Sequence, residues 1–462
     1  MKLTVKHSYT FLFLLGVFFI PFNSYEGISF LGEYKRDGAI IFFILSFLLF
    51  LFDSFYKGKI KFPQTSIFIQ FLILFIGWLF LSAVLNSASI YQNYIKQTSG
   101  FVRFIRQFIS LSFVLIIFIT SYNILILYSV KRIFLRLRKA FFYSFIIVAL
   151  YGFVETLIIY FNVLSLKPLA LFFNYLPFTD IYLDFKGVRI SSITYEPPFL
   201  AIYLITTAGW MFSYIITSSG VKKYLPTLLV FALTFFSGSR TALVVVLFQF
   251  IVFVAIVFTI SKRLRNIING FFIVAISFVL LLFIFNGKKI TEAVETKIES
   301  LNFKENLKTN ISNKSRLGIQ YTSLLIFLEH PIIGVGFGQQ AYHAKDKYPK
   351  WATSNNYEFT LFYLNNNVRS FPPGYNIYTR LLAETGIIGF LIFVFFMFLI
   401  LYQIIVSIKI RTLKEKTVSI VLLISFLGFM INWLQFDSFR VYGFWICLSI
   451  LIAQLNEKKV HE

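Results

Sequence analysis

An otherwise oily chain carries four short polar patterns whose residue types can do chemistry. The first is Arg189-Ile-Ser-Ser-Ile-Thr-Tyr195-Glu196-Pro197-Pro198. A carboxylate held there at a membrane edge can accept a proton or bind sugar hydroxyls, although an acid followed by prolines is also an ordinary way to start a helix. The second is Ser237-Gly238-Ser239-Arg240-Thr241. Its arginine sits between two apolar runs, where the planar guanidinium can meet phosphate oxygens two at a time or simply snorkel to water. The third is Arg316, ahead of an amphipathic stretch from Gln320 to Leu328 and then Glu329-His330-Pro331-Ile-Ile-Gly334-Val-Gly336-Phe-Gly338. Glycines at alternate positions permit tight backbone and positive φ. They lack the strand before and the helix after that a dinucleotide fingerprint requires, so nucleotide binding is rejected. The fourth is Tyr375-Asn376-Ile-Tyr-Thr-Arg380-Leu-Leu-Ala-Glu384-Thr-Gly386-Ile-Ile-Gly389. Asn376, Arg380 and Glu384 recur every fourth residue and share one helix face. On a solvated helix the Arg–Glu pair contributes only a few tenths of a kcal/mol. Beside a bilayer such a stripe is costly unless it lines a cavity, which favours a functional role.

Those patterns need elements to hold them, and composition says what kind. The chain has 462 residues, 58% hydrophobic and 20% aromatic. So much apolar surface requires the bilayer as solvent. The apolar runs are continuous and of helix length, which excludes a β-barrel and defines an all-α polytopic membrane protein. About twelve spans are expected, near 9–22, 39–55, 66–85, 107–128, 140–163, 199–217, 224–237, 241–260, 270–286, 377–407, 417–434 and 441–455. Residues 90–106 are expected as an interfacial helix, with Arg103 and Arg106 one turn apart. The chain then divides into nine spans over 1–286, one large polar loop over 287–376 with short helices of its own such as 290–301, and three spans with a tail over 377–462.

Net charge is +23, from 43 Lys and Arg against 20 Asp and Glu. With the N-terminus inside, the basic residues collect in one set of short connections, such as Lys131 to Lys139, Lys222–Lys223 and Lys262–Arg265. By the positive-inside rule both termini are then cytoplasmic and the large loop lies outside, together with all four polar patterns. The basic residues are scattered between spans, so nucleic acid is not an expected partner. Cys447 is the single cysteine, and His7, His330, His343 and His461 show no metal-ligand spacing; no cofactor or metal is expected.

The order of these motifs resembles the O-antigen ligase / O-antigen polymerase superfamily of bacterial envelope glycosyltransferases. The resemblance runs from Glu196-Pro197 through Ser239-Arg240-Thr241, Arg316, and His330-Pro331-Ile-Ile-Gly334-Val-Gly336-Phe-Gly338, to Asn376-Ile-Tyr378 and Leu-Leu-Ala-Glu384-Thr-Gly386-Ile-Ile-Gly389. It implies a GT-C-like inner-membrane enzyme with a large periplasmic loop, a metal-independent inverting glycosyltransferase that uses an undecaprenyl-diphosphate-linked oligosaccharide as donor. Membrane lipid, with a chain-length regulator or flippase, completes the expected partners. Arg240 and Arg316 match arginines thought to hold the diphosphate; Arg380 and Arg189 are further candidates. Where ligases carry His-Asn at the loop exit, this chain has Tyr375-Asn376. A phenol is a poor base at neutral pH, which favours a repeat-unit polymerase over a ligase that transfers to lipid A core or protein. Glu196, Glu384 and His343 are the candidate bases, and Tyr375 keeps a place among the catalytic residues. A flippase or secondary transporter is the reading from another class, disfavoured because charge sits at span ends and no internal repeat is visible.

Overall fold

The computed structural model describes residues 5–57, 60–260, 262–300, 310–410 and 413–459. Thirteen long helices organise them: α1 Val5–Phe18, α2 Gly38–Lys57, α3 Ile67–Leu85, α4 Gly100–Leu127, α5 Val130–Ile159, α6 Pro197–Thr217, α7 Leu225–Phe236, α8 Arg240–Ile260, α9 Lys262–Ser300, α10 Ile311–Glu329, α11 Ile377–Ile410, α12 Leu413–Asn432 and α13 Tyr442–Lys459. All but α10 coincide with an expected span. Among the described residues, eight helices are long and apolar enough to cross a membrane. The protein is an all-α polytopic membrane protein, and its core is one continuous aliphatic and aromatic cluster shared by these helices.

Length and composition alone explain most of these helices, because a chain in lipid must satisfy its backbone internally. Two boundaries differ from the sequence reading. The stretch 90–106 is not an interfacial helix. It holds a short helix, Ser87–Gln92, then a tight hairpin pairing Tyr94–Ile95 with Thr98–Ser99, and then the first turns of α4. Lys96 and Gln97 take the positive φ that a two-residue hairpin turn demands. The buried Lys96 ammonium donates to the carbonyls of Phe362, Asn365 and Val368 at 2.7, 2.8 and 3.0 Å, tying the large loop to this hairpin. At 290–300 there is likewise no separate loop helix, because α9 continues unbroken to Ser300; residue 301 lies outside the described residues.

Contacts between the connections sort them to two ends. Arg440 pairs with Glu33 at 3.8 Å, Arg316 bonds Gln435 at 3.3 Å and Asn93 bonds Gln339 at 3.0 Å. These join the connections 19–37, 86–99, 330–376 and 433–441 at one end. At the opposite end Lys61 meets Asn123, Val130 meets Glu457 and Arg138 meets Thr217. All four polar patterns lie at the first end.

The alternate glycines have a structural task. Helix α11 is broken at Gly386, whose φ of 63° and ψ of −168° belong to a region essentially reserved for glycine. The break releases the carbonyls of Ala383, Glu384 and Thr385. Val335 N and Gly336 N take the first two at 3.0 and 2.9 Å, and Trp78 Nε1 takes the third at 2.9 Å. In return Ile387 N donates to Pro331 O at 2.8 Å. A Cβ at Gly334 would strike the Glu384 backbone, so only glycine allows this approach.

Candidate functional site

Glu196 opens the site. It occupies the N-cap position of α6 in extended conformation, with prolines in the first turn, yet its side chain makes no capping hydrogen bond. The carboxylate is therefore not engaged as a helix cap. It is exposed to solvent but hemmed in by protein atoms, and this burial pushes its pKa above the ordinary glutamate value, while Arg189, Arg36 and Arg316 pull it back down. Arg240 lies within electrostatic reach of Arg316 and Arg189. Three guanidinium groups from separate parts of the chain, Arg36, Arg189 and Arg316, thus gather around the Glu196 carboxylate, and Arg240 joins the cluster beside Arg189 and Arg316.

Local structure delivers each of them. Gly238 turns the chain at φ 67°, and the Arg189 stem packs against it where a Cβ would stand. Ser239 Oγ accepts from Ala242 N at 3.2 Å and starts α8, leaving Arg240 in its first turn. Arg240 Nη2 donates to Asn313 Oδ1 at 3.0 Å. One turn further along α10, Arg316 lies over the Tyr375 ring, 5.2 Å from its centre. Arg36 stacks on Tyr195 at 3.5 Å. Two N–H groups of the cluster, Arg316 Nε and Arg36 Nη1, are buried without a hydrogen-bond partner. Like charges crowded together, with donors left over, are costly unless an anion joins them.

Sequence reasoning missed two members. Arg36 sits in a plain Lys-Arg-Asp run in a short connection and gave no signal. Glu155 gave one: an acid within an apolar span, here about one turn from its end, is rarely idle. It is fully buried, 0% exposed. Its two oxygens accept Ser191 N and Ser192 N at 3.1 and 2.7 Å. Val188 and Ser192 both have positive φ, at 46° and 52°. Glu155 therefore clamps the contorted segment that presents Arg189 and Glu196.

Arg380 and Glu384 form a different cluster. They pair at 3.1 Å and are 8% and 2% exposed. Arg380 also donates to Asp437 O at 2.8 Å and Gln107 Oε1 at 2.7 Å. Gln107 continues to Glu33, which draws in Arg103 and Arg440. Asn376 caps the first turn of α11, accepting Tyr378 N at 2.9 Å and Thr379 N at 3.2 Å. This network pins the upper half of the broken helix to the connection 433–441. Its guanidinium groups have carboxylate partners: Arg380 pairs with Glu384 and Asp437, and Arg103 and Arg440 pair with Glu33. Arg440 of this network also lines a cavity of about 60 Å³, together with Asn23, Asp37, Phe199 and Tyr203. His343 is elsewhere, beside His330 with ring centres 5.8 Å apart. Burial and the charges of His330 and Lys347 press its pKa down to about 4.

Among the described residues no group of His, Cys, Asp and Glu is arranged to hold a metal ion. The arginine cluster can instead hold an anion with several oxygens, by charge and by guanidinium forks.

Fold and site together define a polytopic helical membrane protein with an arginine-rich centre at one end. Residues 225–394 match the family model described as O-Antigen ligase, a match over part of the chain that supports the O-antigen ligase/polymerase superfamily and a glycosyltransferase-like enzyme of that type. The matched region holds Arg240, Arg316, Tyr375, Arg380 and Glu384, whereas Glu155, Arg189 and Glu196 precede it. No curated protein matches the chain.

Proposed function

We propose that this protein is a repeat-unit polymerase of a surface polysaccharide, which transfers glycan from undecaprenyl diphosphate to an acceptor repeat unit on the periplasmic face of the cytoplasmic membrane. The convergence of Arg36, Arg189 and Arg316 around Glu196, with Arg240 beside Arg189 and Arg316, carries this reading. Departure of a lipid diphosphate builds negative charge on the bridging oxygen. Guanidinium groups already in place stabilise that charge without reorganising at the moment of reaction. Glu196, set among them, tempers their mutual repulsion and offers acceptors to sugar hydroxyls. Attack by the acceptor hydroxyl from the face opposite the diphosphate inverts the anomeric centre. Neither a nucleotide sugar nor a metal is called on, and a chain-length regulator or flippase is the expected protein partner. Tyr375 in place of a loop-exit histidine favours polymerase over ligase.

The test is a gene deletion complemented with Arg316→Ala and Arg316→Lys. Loss of the gene should leave single repeats on the acceptor lipid; glycan stranded on undecaprenyl diphosphate would mark a ligase instead. Arg316→Ala should lower transfer about 100-fold or more, as for removal of one oxyanion donor. Arg316→Lys keeps the charge and loses the fork, so it separates the two contributions. Long chains of normal amount from a well-expressed Arg316→Ala protein would remove Arg316 from the site.

A further inference from the structure

The loop exit presents an arrangement that the arginine cluster does not explain. Tyr375 has φ 57°, an outlier for a bulky residue. Its hydroxyl lies 2.6 Å from that of Tyr363. Tyr363 Oη in turn donates to Glu358 Oε2 over a longer 3.4 Å. Glu358 and Tyr363 are the two ends of a single π-helical turn, Glu358–Tyr363, a rare feature that is frequent at functional sites. Ile319, Ala352 and Phe359 form the small core on which both tyrosine rings pack. Arg316 stands over the Tyr375 ring, so the hydroxyl chain abuts the anion cluster.

An ionised Glu358 only accepts, and with Tyr363 donating to it, Tyr375 donates to Tyr363 in turn, which leaves a Tyr375 oxygen lone pair free to accept. Burial raises both phenols above the usual tyrosine value, so each remains a neutral conductor of protons and neither serves as a standing base.

We infer that Tyr375, Tyr363 and Glu358 form a proton relay that receives the acceptor hydroxyl's proton, with Tyr375 touching the acceptor and Glu358 as the final proton acceptor. This rests on the glycosyl-transfer reading above. As the acceptor oxygen bonds to the anomeric carbon, the bond from that carbon to the lipid diphosphate breaks and the diphosphate leaves with the electron pair. The acceptor's proton passes to Tyr375 Oη, the Tyr375 proton to Tyr363 Oη, and the Tyr363 proton to Glu358. Both phenols end neutral, and Glu358 returns its proton to water. Tyr375 is the catalytic residue of the three; Tyr363 and Glu358 act through it.

The experiment uses the purified full chain in lipid nanodiscs, with the lipid-linked saccharides that a deletion strain accumulates as substrate. Rates are followed against pH for the wild type, Glu358→Gln, Tyr363→Phe, the double variant and Glu358→Asp. Glu358→Gln and Tyr363→Phe should each lower kcat by about 100-fold, with the donor KM unchanged. The relay predicts that the wild type loses kcat on acidification and that both variants remove that fall. The double variant should be no slower than either single one, and Glu358→Asp should recover part of the rate and the acid dependence. Tyr363→Phe keeps the ring that packs the small core, so its loss reads the hydroxyl. A wild-type rate and pH profile in Glu358→Gln, or losses that multiply in the double variant, would overturn the relay while leaving glycosyl transfer standing. A wild type that turns over none of the lipid-linked saccharides would overturn both.

Discussion

At the scale of single residues, the chemistry was partly legible. Arg189, Glu196, Arg240 and Arg316 were visible because charge at the ends of apolar runs is costly and conspicuous. Their grouping was not, since no spacing rule links positions separated by so much chain. Arg36 was hidden for the opposite reason: its setting is ordinary. Glu155 shows how a buried acid serves at a distance, by fixing two amides of the segment that carries Arg189 and Glu196. Replacing it with Ala orphans both N–H groups, at a cost of about 1–3 kcal/mol for each one left unpaired. Glu155→Ala is therefore expected to unfold at lower temperature in detergent and to lose glycan transfer. Glu155→Gln retains one acceptor and should fall between Ala and wild type. Equal melting temperatures for all three would deny the clamp.

At the scale of elements, apolar length located the helices, while hydropathy was blind to the break in α11. One residue's torsion angles interrupt that helix without altering its composition. The same blindness gives the expectation of a separate loop helix at 290–301, where α9 simply continues to Ser300. The triple glycine run could be excluded as a nucleotide motif, but its docking partner was unreadable, because nothing local says which carbonyls it will meet. Gly386→Ala tests the joint. The substitution forces an unfavourable backbone region, worth about 1–3 kcal/mol, and drives a Cβ into the Ile332 carbonyl. Reduced yield and a lowered melting temperature are expected, whereas Gly77→Ala, where a Cβ meets nothing within 4 Å, should be tolerated.

For the whole molecule, charge alone set the expectation that the basic short connections lie at one end and the four polar patterns at the other. The contacts between connections put the four polar patterns together at the other end. Single cysteines in a Cys447→Ala background can assign each end to a side of the membrane. Cys447 is buried and makes a quiet starting point. Asn366 and Ser219 are exposed at opposite ends. A membrane-impermeant maleimide should label Asn366→Cys in intact spheroplasts and Ser219→Cys only after lysis. The reverse pattern would invert the orientation.

The interlock between the glycine run and the broken helix also bears on how the protein is made. Residues 331–336 leave the ribosome before 377–410 have been synthesised, yet the amides of Val335 and Gly336 find their carbonyls only in that later stretch. Membrane insertion of α11 and maturation of the preceding polar segment must therefore finish as a single event. A nascent chain stalled before residue 377 would hold every arginine of the anion cluster and still lack the strut that sets them in place.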